Sequence, residues 1–240
     1  MPDCIDITFD FRSDTPAGKD PDVHSPTLRT YHKWLWSKRL PCGTEFELVD
    51  TTPQAYLHHH SELGEFWLSS DSVIPSFRRE NKIAQIIKEV PADKMDRFNA
   101  IGYTIGGMML FPSQRVGGKM TINGARGFHP RIKDRFDLTV ECIRRHYLGD
   151  SSPLGNVLVR YENFFGLFGS FQNYIEFFLL QDIISDDCSS VKFFLPFSNF
   201  ETSPLPLNKN AYLSYMQAAV EFMEARNRRI LSFWEAKWPS

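Results

Sequence analysis

Cysteine is scarce in this sequence, and the spacings by which cysteines bind metal or exchange disulfides are missing. The 240 residues contain four cysteines, Cys4, Cys42, Cys142 and Cys188, with no C-x-x-C pair among them. That dispersal excludes the usual zinc-ribbon and thioredoxin motifs, so we expect reduced thiols. Cys142 falls within a predicted helix, where a small buried residue is a better interpretation than a nucleophile.

Long apolar runs and an excess of basic charge are also missing. No stretch approaches the roughly 18 consecutive apolar residues of a membrane helix, and the opening MPDCIDITFDF lacks a signal-peptide pattern. We therefore expect a cytoplasmic protein without a membrane partner. The chain has 27 Lys and Arg against 29 Asp and Glu, a formal net charge of −2. A nucleic acid or nucleotide partner would have to bind through a local basic pocket.

The motifs that identify several large enzyme classes do not occur either. The chain has no G-x-S-x-G, no P-loop and no G-x-G-x-x-G, which excludes the common serine hydrolases, NTPases and dinucleotide enzymes. His58, His59 and His60 are adjacent, and three adjacent side chains point in divergent directions. We interpret them as a solvated run and expect no metal and no cofactor.

The apolar content predicts one folded domain over residues 1–240. Hydrophobic residues make up 42% of the chain and aromatic residues 14%, which is ample for a core. Periodicity predicts helices from Ser25, over 81–90 and 93–105, from Arg131, and from Asn210 to Trp238. Strands are predicted for ITFDF, EFELV, MMLFP, KMTIN and SVKFFLPF. We expect an α+β single domain, with a small mixed sheet and helices dominating the C-terminal half.

A polar loop after the first predicted strand carries the first candidate chemistry. DFRSDTPAGKDPDVHS places Asp20, Asp22 and His24 close together. A loop leaves such groups accessible to water while the preceding strand holds them in place, as a water-activating base requires. We take these three as candidate catalytic residues. The alternative is that Asp and Pro only form turns here, with Asp22 as a local cap.

The segment TINGARG, between a predicted strand and a helix, is the second candidate. Glycines let a backbone approach a ligand, Arg126 offers a planar fork for phosphate or carboxylate, and Asn123 offers both a donor and an acceptor to a base edge. We expect a pocket for an anion and a base formed by Asn123, Arg126, Arg131 and Arg135. The alternative is a tight turn in which Arg126 pairs with Asp134 or Asp137.

Many of the charged residues that follow TINGARG in the sequence have a structural interpretation. Glu141 and Arg145 form an i,i+4 pair on the predicted helix, worth about 0.2–0.5 kcal/mol. A shared apolar face is predicted for Ile132, Phe136, Val140, Ile143 and Tyr147. On the last helix, a basic patch is predicted for Arg226, Arg228 and Arg229.

Two stretches, FDFRSDTPAGKDPDVHSPTLRTYHKWLWSKRLPCG and TINGARGFHPRIKDRFDLTVECIRRHYLGDSSPLG, resemble an uncharacterised family of bacterial proteins of similar length. Separately, KDPDVHS resembles the Q-D-P-Y-H water-activating loop of uracil-DNA glycosylases at Asp20, Pro21 and His24. The His is displaced by one residue, and Asp22 stands where the aromatic should be. This resemblance implies that Asp20 orients water or stabilises an oxocarbenium-like sugar and that Asn123 reads a flipped base.

Three functional hypotheses follow from these candidates. The leading one is a hydrolase acting on nucleic acid or nucleotides, most concretely a base-removing N-glycosidase. The second is a non-catalytic protein that binds a ligand or partner through the same anion pocket, and the third is a metal-dependent nuclease. A single site requires that Asp20, Asp22 and His24 converge with Asn123 and Arg126, since reacting groups must work within about 3 Å of the reacting atoms.

Overall fold

A four-stranded antiparallel sheet forms the N-terminal half of the fold in the computed structural model, which describes residues 4–51, 57–75 and 80–238. The strands of this sheet, in spatial order, are β3 (Val49–Asp50), β4 (Leu57–Ser61), β5 (Gly64–Ser72) and β6 (Met108–Pro112). A second antiparallel pair consists of β1 (Lys38–Arg39) and β2 (Glu45–Phe46).

Helices supply most of the remaining described structure, as the sequence predicts for the C-terminal half. The longer ones are α2 (Pro26–Trp36), α3 (Asn81–Lys88), α4 (Ala92–Gly102), α6 (Phe136–Leu148) and α10 (Lys209–Lys237). The shorter ones are α1 (Pro21–His24), α5 (Ile122–Phe128), α7 (Gly155–Leu158), α8 (Glu162–Gly166) and α9 (Phe171–Phe177). The predicted α+β class is confirmed.

The best predicted helix is α2, because its start is encoded locally. The Ser25 hydroxyl accepts a hydrogen bond from the Leu28 amide at 3.1 Å, and Pro26 occupies the first helical position. The hydroxyl pairs with one of the backbone N–H groups that a helix start leaves without a partner. Proline at the first position has no N–H group that needs one. The helix buries Leu28, Leu35 and other apolar side chains against the core.

β5 is the strand that positions the candidate site. Its first half pairs with β4 as far as Leu57 opposite Leu68, and its second half pairs with β6, which is buried along its whole length. The polar residues 69–72 of β5 therefore lie next to a fully buried strand. Helix α1 packs against β5. This contact brings the loop that contains Asp20, called the N-terminal acidic loop below, to the strand.

The predicted strand ITFDF is wrong, because side chains in this segment bind the nearby backbone. The Asp6 carboxylate accepts from the Thr8 amide at 2.8 Å, and the Asp10 carboxylate accepts from the Arg12 amide at 2.9 Å. Such local hydrogen bonds stabilise turns at the expense of a strand ladder. The described part of this segment forms turns.

The predicted strands KMTIN and SVKFFLPF are also wrong. Thr121 caps helix α5, its hydroxyl accepting from the Gly124 amide at 3.3 Å, so Asn123 to Gly127 lie within a helix and not in a turn. In the second segment, the described residues form only an isolated bridge between Ile184 and Val191. Within residues 113–238, then, the sheet gains no further strand.

The histidine run lies in strand β4, and its interpretation as a solvated run is wrong for its central residue. His59 is 2% exposed and stacks on Phe46, with ring centroids 4.2 Å apart.

Cys142 is buried on α6 as predicted, and burial raises the pKa of its thiol to about 12. Among the described helices, none has the length and apolarity needed to cross a membrane.

The predicted basic patch on the last helix is wrong for Arg226, whose side chain is fully buried. Its guanidinium donates to the carbonyl oxygens of Gly106 at 3.1 Å, Met108 at 2.7 Å and Phe178 at 3.1 Å. The neighbouring Asn227 accepts from the Gly106 amide at 2.7 Å. Helix α10 is thus bonded to the chain that leads into β6.

We predict that Arg226→Ala lowers the free energy of unfolding by about 3 kcal/mol or more, because it leaves three buried carbonyl groups without this donor and opens a cavity. Urea denaturation measures the change. The matched control is Arg228→Ala on the same helix, where Arg228 is exposed and a change within about 0.5 kcal/mol is expected. Equal losses in the two variants would contradict this role of Arg226.

Candidate functional site

The N-terminal acidic loop and strand β5 meet at a cleft of about 590 Å³. Its wall includes Asp20 and Asp22 from the loop and α1, Asp71 from β5, Trp67, and Asn123 from α5. A second cleft of about 600 Å³ shares Asp20, Asp22 and Asp71 with the first. These three carboxyl groups therefore lie where the two clefts adjoin.

Asp20 is the capping residue of α1. Its Oδ1 accepts a hydrogen bond from the Asp22 amide at 3.1 Å, and its side chain is exposed. This is the local structural role that the loop composition suggested, although the cap is Asp20 and not Asp22. The cap turns the chain so that Asp22 points toward β5.

Asp22 is the least satisfied carboxyl group of the cleft. Its Oδ1 is buried and has no hydrogen-bond donor in the part of the chain that the structure describes. Burial raises the pKa of Asp22 well above its ordinary value, and the negative charges of Asp71 and Asp20 add to the rise. The neutral, protonated form is favoured wherever burial and like charges act together.

Asp71 sits beside Asp22 but has a cationic partner. Arg126 Nη1 donates to Asp71 Oδ2 at 2.6 Å. Burial raises the pKa of Asp71 to about 6, while the charge of Arg126 opposes that rise. The two neighbouring carboxyl groups thus differ in environment: one is paired with a guanidinium, and the other has a buried oxygen without a donor among the described residues.

Arg126 is enclosed by protein, with 0% of its side chain exposed. Besides Asp71 it donates to the Ser72 carbonyl at 3.2 Å and the Asp134 carbonyl at 3.0 Å, and its Nε lies 3.4 Å from Asp134 Oδ1. Of the two interpretations of TINGARG, the pairing of Arg126 with Asp134 is confirmed. The guanidinium does not face the cleft, because it is enclosed and bonded to protein groups.

Asn123 lines the cleft with its amide orientation fixed. Its Nδ2 donates to Ser69 Oγ at 3.2 Å and to the Ser70 carbonyl at 3.4 Å. A carbonyl can only accept, so the nitrogen must lie on that side of the amide. The other amide atom, Oδ1, is buried and receives no hydrogen bond within the described ranges.

The remaining predicted site residues lie elsewhere. His24 is exposed and its Nδ1 is 3.1 Å from the carbonyl of its own cap, Asp20. Arg131 is exposed, and its backbone amide donates to His129 Nδ1 at 3.2 Å. Arg135 is buried, pairs with Asp137 and donates to the Pro204 carbonyl at 3.1 Å. The structure therefore places none of His24, Arg131 and Arg135 in the wall of the cleft.

The structure thus brings together part of the predicted site and adds residues that were missed. Asp20, Asp22 and Asn123 share the cleft, with Arg126 behind it. Asp71 and Trp67 were not predicted. The available signal was the run SSDS at 69–72, four polar residues continuing the strand that begins EFWL. Within the described ranges, no three His, Cys, Asp or Glu side chains group so as to hold a metal ion.

Comparison with known proteins identifies the family but no activity. The chain belongs to a family of unknown function, DUF6994, whose model matches residues 5–230. No curated protein and no solved structure matches the chain. The chemistry of the cleft is therefore what indicates a function.

We predict that Asp22→Asn becomes progressively more stable, relative to the unsubstituted protein, as pH rises from 4 to 7. A carboxyl whose pKa is raised by folding stabilises the fold when protonated, and that contribution is lost as pH rises through the folded pKa. The Asn side chain stays neutral, so the difference in unfolding free energy should grow by on the order of 1 kcal/mol.

Denaturation at several pH values measures this difference. Asp150→Asn, which alters an exposed carboxyl outside the cleft, is the control and should stay within about 0.5 kcal/mol of the unsubstituted protein throughout. A flat difference for Asp22→Asn would show that folding does not raise the pKa of Asp22.

Proposed function

We propose that this protein is a hydrolase that cleaves the N-glycosidic bond of a nucleoside or nucleotide, with Asp22 as general acid and Asp71 as general base. The observation that supports this most directly is the pair of carboxyl groups in one cleft, held in different environments. Two carboxyl groups with separated pKa values are the usual means of cleaving a glycosidic bond.

Asp22 is suited to protonate the leaving base. Its pKa lies well above the ordinary value because of burial and the charges of Asp71 and Asp20, and this shift favours the protonated form that a general acid needs. Donation of that proton to a ring nitrogen lets the base leave as a neutral molecule. The bond between C1′ and the base nitrogen breaks, and the bonding electrons go to the base.

Asp71 is suited to activate water. With a pKa of about 6, it is ionised at neutral pH, and the ion pair with Arg126 holds its carboxylate in the cleft wall. It would take a proton from water as the oxygen bonds to C1′. We assign this role to Asp71 and not to Asp20, because Asp20 is exposed and caps α1.

Trp67 and Asn123 are suited to bind the nucleoside. Trp67 is half-buried in the cleft wall and its ring packs on His58, with centroids 4.5 Å apart. A ring held in this way offers a face on which a base can stack. The unpaired Asn123 Oδ1 would accept a hydrogen bond from a base or sugar. A cleft of about 590 Å³ suits one nucleoside unit, so a longer nucleic acid would need to extrude its base.

We predict that Asp22→Asn and Asp71→Asn each reduce base release at least 100-fold at pH 7, since general acid and base catalysis contribute about 10²–10⁴-fold each. Chromatography of free base, after incubation with a panel of nucleosides, nucleotides and oligonucleotides, measures the rate. Asp150→Asn is the control and should retain full activity.

Thermal melts of each variant establish that the loss is not a loss of folding. Failure of the unsubstituted protein to release base from any member of the panel would refute the proposal. Binding of a nucleoside without turnover, detected by thermal shift, would instead favour a non-catalytic binding protein.

The pH dependence of kcat/KM should have an acidic limb centred near pH 6. Asp71 acts only when ionised, and the pKa of its carboxyl is about 6 in the free protein. Activity should therefore rise through this pH and fall again where Asp22 loses its proton, giving a bell-shaped profile. An acidic limb near pH 4, the ordinary range of an aspartate, would rule out Asp71 as the base.

A further inference from the structure

A buried hydrogen-bond chain connects the core to the wall of the cleft. The Trp36 indole Nε1 donates to His32 Nδ1 at 3.0 Å, and His32 Nε2 lies 3.0 Å from Ser70 Oγ. Trp36 and His32 are at most 1% exposed, and Ser70 lines the cleft. A serine within 3 Å of a histidine is also how a nucleophilic dyad looks.

The direction of each bond in this chain can be assigned. An indole N–H can only donate, so His32 Nδ1 must present its lone pair. A neutral imidazole then carries its one proton on Nε2, which must donate to Ser70 Oγ. His32 is neutral because burial, reinforced by the charges of Arg226 and Arg29, lowers its pKa to about 3.

We infer that His32 holds Ser70 as a hydrogen-bond donor for the ligand and prevents it from acting as a nucleophile. A base that accepts the hydroxyl proton is what a nucleophilic serine needs, and His32 Nε2 has no lone pair to offer in this tautomer. The Ser70 hydroxyl hydrogen has no acceptor among the described residues.

A second histidine of the same protein shows the opposite arrangement. His59 Nδ1 lies 2.8 Å from the Glu47 carbonyl oxygen, which can only accept, so this nitrogen carries the proton. His59 Nε2 therefore accepts from Ser61 Oγ at 2.8 Å, and that hydroxyl hydrogen is used within the protein. The two His–Ser pairs thus have similar distances and opposite proton positions.

The inference deepens the proposed function by naming the part of the substrate that Ser70 contacts. Ser69 Oγ also accepts a bond, from Asn123, and its own hydrogen has no acceptor among the described residues. Two hydroxyl donors beside the acceptor Asn123 Oδ1 match the hydroxyl groups of a sugar, each of which can accept and donate. We assign Ser70 to the sugar of the N-glycoside, with His32 as its positioning residue.

Long-range ¹H–¹⁵N NMR correlation on the whole protein at pH 7 tests the proton positions without a substrate. We expect the proton of His32 on Nε2 and that of His59 on Nδ1, so each residue is the other's reference. His32→Asn and His59→Asn identify the signals. A proton on Nδ1 of His32 would overturn the inference. Trp36→Phe removes the indole donor and should shift His32 toward that other tautomer.

Kinetics and labelling test the role of Ser70. With a ribonucleoside that the protein hydrolyses, Ser70→Ala should raise KM about tenfold with a smaller effect on kcat, and Ser70→Thr, which keeps the hydroxyl, should restore most of the affinity. A fluorophosphonate probe should leave Ser70 unlabelled. Covalent labelling of Ser70, or loss of kcat alone, would overturn the inference. If no nucleoside is hydrolysed, the proposed function fails, while the NMR result still decides the proton position on His32.

Discussion

The ion pair between Arg126 and Asp71 is the interaction on which the rest of this site depends. It joins α5 to β5 across 55 positions of sequence, with a donor-to-acceptor distance of 2.6 Å. Because the guanidinium is fully enclosed, loss of Asp71 would leave it with only the longer ion pair to Asp134 Oδ1 at 3.4 Å. Breaking a buried ion pair costs about 3–5 kcal/mol. The pair therefore fixes the position of Asp71 in the cleft wall far more firmly than a surface ion pair could.

Arg126 also determines the path of the chain between α5 and α6. Lys133 and Asp134 have φ angles of 49° and 64°, in the left-handed region that residues other than glycine adopt at a cost. Two reciprocal bonds offset that cost: the Asp134 amide donates to the Arg126 carbonyl at 2.9 Å, and Arg126 Nη2 donates to the Asp134 carbonyl at 3.0 Å. The segment from Thr121 to α6 is therefore one structural unit built around a cation.

Features set by near neighbours could be predicted from the sequence, and features set by distant ones could not. The cap of α2, helix α10 and the Glu141–Arg145 pair, at 2.7 Å, all follow from residues within a few positions of each other. Asp71 could not be found in this way. Asp71 belongs to the candidate site because of its neighbours Asp22 and Arg126, both about 50 positions away. The sequence of β5 does not indicate which distant residues will lie beside it.

The same limit explains why the role of Arg126 was ambiguous. An arginine after a glycine-rich segment can bind a phosphate or neutralise a carboxylate of its own protein, since both partners match its planar fork. Only the tertiary pairing decides between them. The predicted basic patch failed for a related reason, because Arg226 lies on the inner face of α10 and its acceptors are carbonyls 48 to 120 positions distant.

Two aspartates of identical chemistry acquire different properties in this cleft through one neighbour. Burial raises the pKa of both Asp22 and Asp71, but only Asp71 is hydrogen-bonded to Arg126. The charge of Asp71 adds to burial in raising the pKa of Asp22, and the cation that pairs with Asp71 is one that no ligand can reach. Under the proposed function, Arg126 would serve catalysis without touching substrate, because the same buried contact holds the proposed base in the cleft wall and places its negative charge beside the proposed acid.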